Sequence, residues 1–319
     1  MNNQTIKVVT YNVDGLPETI DLKDLPWVLK PVYWVCKLFK IPTTFTINDG
    51  KDRRESMLEI SKRLSEYDAD IIAVQEDFNY HDELMSSLSD KYYDSTHTGE
   101  ITLKNLFSNA EIWSSFPKPR LKADGLNLIT KKCALTLDEE IVRWKKSYGY
   151  TSHANDKLTH KGFRFYKVYP NDHEGPINVY VLHMDADFYD PVNCPDVSKD
   201  VKARRAQLEQ LADHIINTFD EGYGNPTIIL GDTNSTNKYI WDVDNINAFK
   251  KRIADELPFL EVNEATCGED DVDRVFYIND KYDDVQLKPT RAYYDNVYLS
   301  DHRPYIVEFE IEHKEEESE

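Results

Sequence analysis

The sequence predicts an α/β protein made of two β-sheets with helices packed outside them. Two kinds of pattern lead there. Short apolar runs at 6–9, 71–74, 179–182 and 228–230 have the length and continuity of buried strands. Two longer stretches, 53–67 and 201–219, carry apolar residues every three or four positions, and a strand-like run follows each of them. A helix that covers a sheet and returns the chain to it is the economical way to join such elements.

Taken in order, strand-like sequence begins by Thr5. The first helix, 53–67, sets Met57, Ile60, Leu64 and Tyr67 on one face, and 70–75 then reads as a buried strand. Segments 163–168 and 177–182 form a hairpin around the turn-rich residues 171–175. The second helix, 201–219, aligns Leu208, Leu211, Ile215 and Phe219, and 226–230 is the strand after it. Further strands lie at 275–278 and 305–311. The last alternates Val307, Phe309 and Ile311 against Glu308, Glu310 and Glu312, with Ile306 breaking the pattern.

With 319 residues, 40% of them apolar, the chain has material for a substantial core. A single domain is expected over 1–312, interrupted by an apolar insertion at 16–51 and followed by a solvated acidic tail at 313–319. The formal net charge of −20 argues against binding nucleic acid through a basic footprint. Cys36, Cys133, Cys194 and Cys267 lack zinc-site spacing and read as ordinary thiols, with disulfides open to a secreted form. No charged and apolar leader opens the chain, so the expectation is a cytosolic protein, one exported by another route, or a trimmed mature form. A monomer is expected.

Five polar blocks follow or precede the strands: Tyr11-Asn12-Val13-Asp14-Gly15, Val74-Gln75-Glu76-Asp77, His183-Met184-Asp185, Gly231-Asp232-Thr233-Asn234 and Ser300-Asp301-His302-Arg303-Pro304. Carboxylates, carboxamides and histidines at the ends of buried strands are poorly explained by packing. Magnesium takes about six oxygens and keeps several waters, so one or two carboxylates suffice. Asn12 and Glu76 fit that role, and Asp301 would face the metal. Asp232 can orient or activate a water, and Asn234 can donate to a phosphoryl oxygen; an Asx turn is the competing reading of this pair. His302 suits a general base, with Asp273 holding its tautomer. Together these residues are equipment for cutting a phosphate ester.

The ordered set resembles the endonuclease/exonuclease/phosphatase superfamily, which has an N-terminal Asn, a QE pair, a mid-chain His, GDxN and SDH. The resemblance covers nearly the whole chain. It implies a four-layer α/β sandwich, two mixed sheets face to face with helices on both outer faces, and a magnesium-dependent hydrolytic site, with Mn2+ as a substitute for Mg2+. It implies that Asn12, Glu76 and Asp301 are metal ligands, and that Asp232 and Asn234 are the water and phosphate pair. By the same likeness His183 contacts phosphate, and Asp273 with His302 forms a dyad. Lys161-Gly162-Phe163, the stretch 181–187, Asp124-Gly125-Leu126 and the QED block are similar to bacterial neutral sphingomyelinases. The chain departs from them in the hairpin before SDH, where only Tyr293, Tyr294 and Tyr298 remain, and in its insertion.

Within that insertion, 26–42 mixes aromatic and aliphatic residues with Lys30, Lys37 and Lys40. It is too short and interrupted to span a bilayer, and reads as a membrane-interface segment or a lid. The leading expectation is a phospholipid phosphodiesterase of the sphingomyelinase or phospholipase C kind acting at a membrane surface. The alternative is a nucleic-acid phosphodiesterase resembling abasic-site endonucleases or tyrosyl-DNA phosphodiesterases.

Overall fold

The computed structural model describes residues 4–17, 19–21, 23, 30–40, 43–46, 52–95, 97–100, 123–148, 159–170, 175–186, 196–220, 224–265, 268, 271–282 and 285–313. The strands run β1 (Gln4–Asn12), β2 (Thr19–Asp21), β3 (Thr44–Thr46), β4 (Ile71–Gln75), β5 (Tyr92–Asp94), β6 (Asn127–Lys131), β7 (Leu135–Arg143), β8 (Gly162–Tyr169), β9 (Ile177–His183), β10 (Thr227–Asp232), β11 (Asn263–Glu264), β12 (Asp273–Ile278), β13 (Val285–Tyr294) and β14 (Tyr305–His313). The helices are α1 (Lys30–Leu38), α2 (Arg53–Tyr67), α3 (His81–Met85), α4 (Ser198–Asp220) and α5 (Ile240–Glu256).

Two six-stranded sheets result, ordered β13-β14-β1-β4-β6-β5 and β11-β12-β10-β9-β8-β7, with β2 and β3 as a separate pair. Each sheet has one parallel pair at its centre, β1 with β4 and β9 with β10. A parallel pair needs a crossover, and here α2 and α4 lie within the two connections. Both expected helices are therefore present; α2 has the bounds read from the sequence, and α4 starts three residues earlier. Asp52 caps α2 by accepting from Glu55 N at 3.1 Å, and Asp68 ends it in the left-handed region at φ 50°.

The core has three layers of contact, which makes the four-layer α/β sandwich. Ile6, Val8, Ile71 and Leu128 of one sheet meet Val179, Val181, Ile228 and Leu230 of the other in the central layer. Outside the first sheet, Val9, Ile72 and Val74 pack on Met57, Ile60 and Leu64 of α2. Outside the second, Phe163, Tyr180 and Ile229 pack on Leu211, Ile215 and Phe219 of α4 and on Phe249 of α5. Strands covered on both faces read as continuous apolar runs, which is why they were visible in the sequence. Ile306 now has its reason: Val307, Phe309 and Ile311 face the other sheet, whereas Ile306 faces the helical layer of α2.

Helix α5 and strands β7 and β13 are among the elements that the sequence pattern does not predict. Helix α5 buries Ile246, Phe249 and Ile253, but its first turns, rich in Asp and Asn, mask the periodicity. Strand β7 and edge strand β13 are mostly polar, and β13 carries a register shift between Pro289 and Arg291, where a proline at a sheet edge is tolerated. The hairpin expected at 163–182 is present as β8 and β9, with most of its turn outside the described residues. His313, assigned to the tail, is the last residue of β14 because the ladder continues to Val285. Cys36 and Cys133 are free thiols; Cys194 and Cys267 lie outside the described residues.

A buried ion pair ties the sheets together. Arg164 of β8 donates from Nε and Nη2 to both carboxylate oxygens of Asp124, just before β6, at 2.9 and 2.7 Å. Asp124, noted in the sequence as part of a similarity block, is thus structural. Breaking such a pair leaves an uncompensated buried charge, at a cost of about 3–5 kcal/mol. Asp124→Ala is expected to lower the unfolding free energy by that amount in urea titrations, and Asp124→Leu combined with Arg164→Met to recover most of it.

Candidate active site

The register of the central strands brings the polar blocks together. Asp232 ends β10 opposite His183 on one side and Asp273 on the other. Asn12 ends β1 opposite Gln75, so Glu76 is the next residue beyond the neighbouring strand. Because the sheets are face to face, the two sets meet: Asn12 Nδ2 donates to Asp232 Oδ2 at 3.1 Å and lies 3.4 Å from Glu76 Oε1. Ser300 joins the fifth block, its hydroxyl donating to Asn12 O at 2.7 Å and accepting from His302 N at 3.0 Å.

Close approach fixes several backbone choices. Gly231 has φ 147°, and a Cβ there would stand 2.0 Å from Leu182 O, so only glycine lets β9 and β10 deliver His183 and Asp232 side by side. Asp14, Glu76 and Asn234 all adopt left-handed φ, at 49°, 60° and 48°. Such conformations in non-glycine residues each cost on the order of 1–3 kcal/mol and cluster at functional sites. No helix starts at Glu76 or Asp77, because α3 begins only at His81, so neither residue is a helix cap.

His302 Nδ1 is 2.7 Å from Asp273 Oδ2, and its Nε2 is 3.7 Å from Asp232 Oδ2. Burial disfavours the charged ring, but Asp273 and Asp232 outweigh it and hold the imidazole protonated well above its usual range. Asp273 itself is pushed up to about 6 by burial, with the His302 charge opposing. His183 behaves oppositely. Its Nε2 lies 3.4 Å from the same Asp232 oxygen, yet burial, with the nearby Lys161 charge, drives its pKa well below the usual range. Its Nδ1 is buried without a partner, so the neutral ring carries its proton on Nε2. For Asp232, burial raises the carboxyl, but His302, His183 and Lys161 together hold it below its ordinary value.

Glu76 is raised to about 7, chiefly by burial, with Lys161 opposing and Asp14 and Asp301 adding to the rise. A carboxylate cluster short of positive charge, presented with the carboxamide of Asn12, is a donor set suited to a hard divalent cation. Asn12, Glu76 and Asp301 can therefore hold one. Asp301 is exposed, with Oδ1 3.1 Å from Ser300 Oγ. A second grouping, Asp232, Asp273 and His302, also converges, with ligand-type atoms within 4.8 Å of one another. Its short His–Asp bond fits proton handling better.

The GDTN block forms an Asx turn whose second carboxylate oxygen is left for the site. Asp232 Oδ1 accepts from Asn234 N at 2.8 Å, which is an Asx turn, while Oδ2 faces the site. Asn234 Nδ2 donates to Met184 O at 2.9 Å, so one of its amide hydrogens is committed to the β9 end. Lys161 was quoted in a motif but given no role. Its Nζ donates to the same Met184 O at 3.1 Å, and its charge acts on Glu76, His183 and Asp232. The signal for it was the KGF block. Gly162 lets β8 pass β7, since a Cβ would stand 2.1 Å from Val142 O, and this sets Lys161 at the strand end.

Behind Glu76, Asp77 is clamped. Its Oδ2 accepts from Asn127 Nδ2 at 2.8 Å and pairs with His81 Nδ1 at 2.8 Å, while His81 Nε2 is 3.3 Å from Asp94. Burial works against the charged His81 ring, but Asp77 and Asp94 prevail and push its pKa up to about 10. A raised folded pKa stabilises below the unfolded value near 6.5, and that stabilisation is lost as pH rises through about 10. His81→Asn is therefore expected to lower Tm at pH 6, and the gap between wild type and variant to shrink as pH approaches 10 in paired melts. A gap independent of pH would mean that His81 acts by packing alone.

Residues 9–302 match the model of the Endonuclease/Exonuclease/phosphatase family. Among curated proteins, none matches this sequence. Among solved structures the chain is similar to beta toxin from Staphylococcus aureus, at 15% identity and TM-score 0.58, covering 95% of this chain and 99% of that one. It is also similar to sphingomyelinase C from Streptomyces griseocarneus, at 14% identity and TM-score 0.53, covering 96% and 99%. A humanized D. rerio TDP2 aligns at 11% identity and TM-score 0.54, covering 96% and 98%. A beta toxin variant of the same fold carries bound magnesium ions. With its family match running from the first polar block to His302 in the fifth, the chain belongs to the Endonuclease/Exonuclease/phosphatase family and is a metal-dependent phosphoric diester hydrolase.

Proposed function

We propose that the chain is a sphingomyelinase-like phosphodiesterase of the phospholipase C type, releasing a phosphorylated head group from a phospholipid with magnesium, or manganese in its place. The observation that carries this reading is the net charge of −20. Duplex nucleic acid presents a negative charge about every 1.7 Å and is bound through lysines and arginines. A choline- or ethanolamine-phosphate head group pairs its phosphate with a cation, so an acidic protein does not repel it. The likeness to sphingomyelinase C supports the same reading. The likeness to TDP2 keeps a nucleic-acid phosphodiesterase as the second reading.

In this mechanism Asn12, Glu76 and Asp301 would hold a divalent cation, which would supply Lewis acidity to the phosphate. His302 takes a proton from the attacking water at Nε2, with Asp273 fixing the ring through Nδ1. Asp232 orients the water. His183, kept neutral, donates from Nε2 toward a phosphoryl oxygen, and Lys161 and Asn234 add positive and dipolar character on that side. The water oxygen bonds to phosphorus as the bond to the lipid oxygen breaks.

Chelation with EDTA is expected to abolish hydrolysis of a generic phosphodiester, with magnesium or manganese restoring it, and Glu76→Gln to reduce it severely. Full activity in excess chelator would end the metal assignment. His302→Ala is expected to lose about 10²–10⁴-fold in kcat while remaining folded. Only the unprotonated His302 can accept a proton, so activity rises with pH through its pKa. Asp273→Asn removes the charge that raises that pKa, and the acidic limb of the pH–rate profile should move to lower pH. A limb that stays in place would assign the base to another group. Across sphingomyelin, phosphatidylcholine, abasic DNA, 5′-tyrosyl DNA and inositol phosphates, kcat/KM should be highest on a choline lipid; a higher value on either DNA would favour the second reading.

A further inference from the structure

Helix α1 buries no side chain against the described residues. None of its residues is buried, and Trp34, Leu38 and Phe39 are 61%, 78% and 69% exposed. At 100° per residue, Val32, Val35, Leu38 and Phe39 share one arc, and Lys30, Tyr33 and Lys37 share another. Lys37 Nζ sits 5.8 and 5.4 Å from the ring centroids of Tyr33 and Trp34, which keeps its charge on the polar side of the helix, away from the apolar arc. An exposed apolar face of this kind needs an occupant.

Charge identifies it. From residue 25 to 48 the chain has no Asp or Glu and carries Lys30, Lys37 and Lys40, although acidic residues number 58 overall. A second copy of the chain would set lysine against lysine across a self-complementary contact. An anionic bilayer surface meets both properties at once, accepting the apolar arc among its acyl chains and the lysines among its head groups, where these local charges offset part of the repulsion from the acidic remainder of the chain. Nine residues make a helix about 14 Å long, which can lie in an interface but cannot cross it. The insertion is also rooted at the site: Gly15 N donates to Glu76 O at 3.1 Å, Asn79 N donates to Gly15 O at 3.0 Å, and Arg53 pairs with Asp14 where the chain returns.

We infer that α1 docks the protein on the surface of an anionic lipid bilayer, setting the end of β1 that carries Asn12 beside the membrane. This deepens the lipid reading above and rests on it for purpose, not for binding.

The test is co-sedimentation of the full chain, in EDTA to stop turnover, with phosphatidylcholine vesicles and with vesicles containing phosphatidylserine. Wild type should bind the phosphatidylserine vesicles more tightly, and less so as salt rises. Val35→Ser/Leu38→Ser/Phe39→Ser should lose at least tenfold in partitioning on both vesicles. Lys30→Gln/Lys37→Gln/Lys40→Gln should lose the preference for phosphatidylserine, roughly fivefold per lysine. Both variants should hydrolyse a short soluble phosphodiester at the wild-type rate. No vesicle binding by wild type, or equal binding by all three proteins, overturns the inference. Equal loss of soluble activity would make α1 a lid and overturns it too. Vesicle binding without hydrolysis of any lipid would sink the substrate reading alone; lipid hydrolysis in detergent micelles without vesicle binding would sink the docking alone.

Discussion

The hydrogen bond from Asn12 to Asp232 is the contact on which the site depends. It joins residues 220 positions apart, from the central strands of different sheets, at 3.1 Å. Neither sheet alone holds a complete set of groups. The first contributes Asn12 and Glu76, the second His183, Asp232 and Asp273, and the loop before β14 adds Asp301 and His302. The central apolar layer therefore does more than stabilise: Ile6, Val8 and Ile71 against Val179, Ile228 and Leu230 fix the separation at which a carboxamide of one sheet reaches a carboxylate of the other.

That convergence concentrates negative charge where little water reaches. Asp232 and Asp273 are 1% and 3% exposed, and Glu76 is pushed up to about 7 by its burial. Lys161 and His302 offset part of this charge. The remainder suits a divalent cation of the kind on which the family depends. The left-handed backbones of Asp14, Glu76 and Asn234 belong with it, since strain of this kind persists only where surrounding contacts over-determine it. The Asx turn at Asp232, the clamp on Asp77 and the Arg53–Asp14 pair are those contacts.

Much of this was legible because strands buried on both faces write continuous apolar runs, and each ran into a polar block. Residues 6–9, 71–74, 179–182 and 228–230 are the four central strands, and the periods at 53–67 and 201–219 are the two crossover helices. What could not be read depends on partners distant in sequence. Asp124, in a block of family likeness, is the buried partner of Arg164. Lys161, in another such block, is a charge beside Glu76 and His183. Asp77, in the second polar block, is held by Asn127 and His81. In each case the residue type was visible and its neighbour was not. Edge strand β13 and helix α5 escaped for a different reason: one is half solvated and the other opens with poor helix formers, so neither writes a clean period.

The two histidines show how neighbouring environments separate roles that composition cannot. Both place Nε2 near the same Asp232 oxygen, at 3.4 Å for His183 and 3.7 Å for His302. His183 has no carboxylate on its other nitrogen, is 2% exposed and lies near Lys161, so the neutral ring is favoured. His302 has Asp273 on its other nitrogen at 2.7 Å, so the charged ring is favoured. Two histidines pushed in opposite directions around one carboxylate separate a neutral hydrogen-bond donor, His183, from a ring of high proton affinity, His302, which can accept a proton once it has lost its own. The difference lies in one residue, Asp273, delivered by the antiparallel register of β12 on β10. The opposite pulls on the two rings are therefore a consequence of strand pairing, and the pairing is a consequence of the apolar runs that bury the central strands.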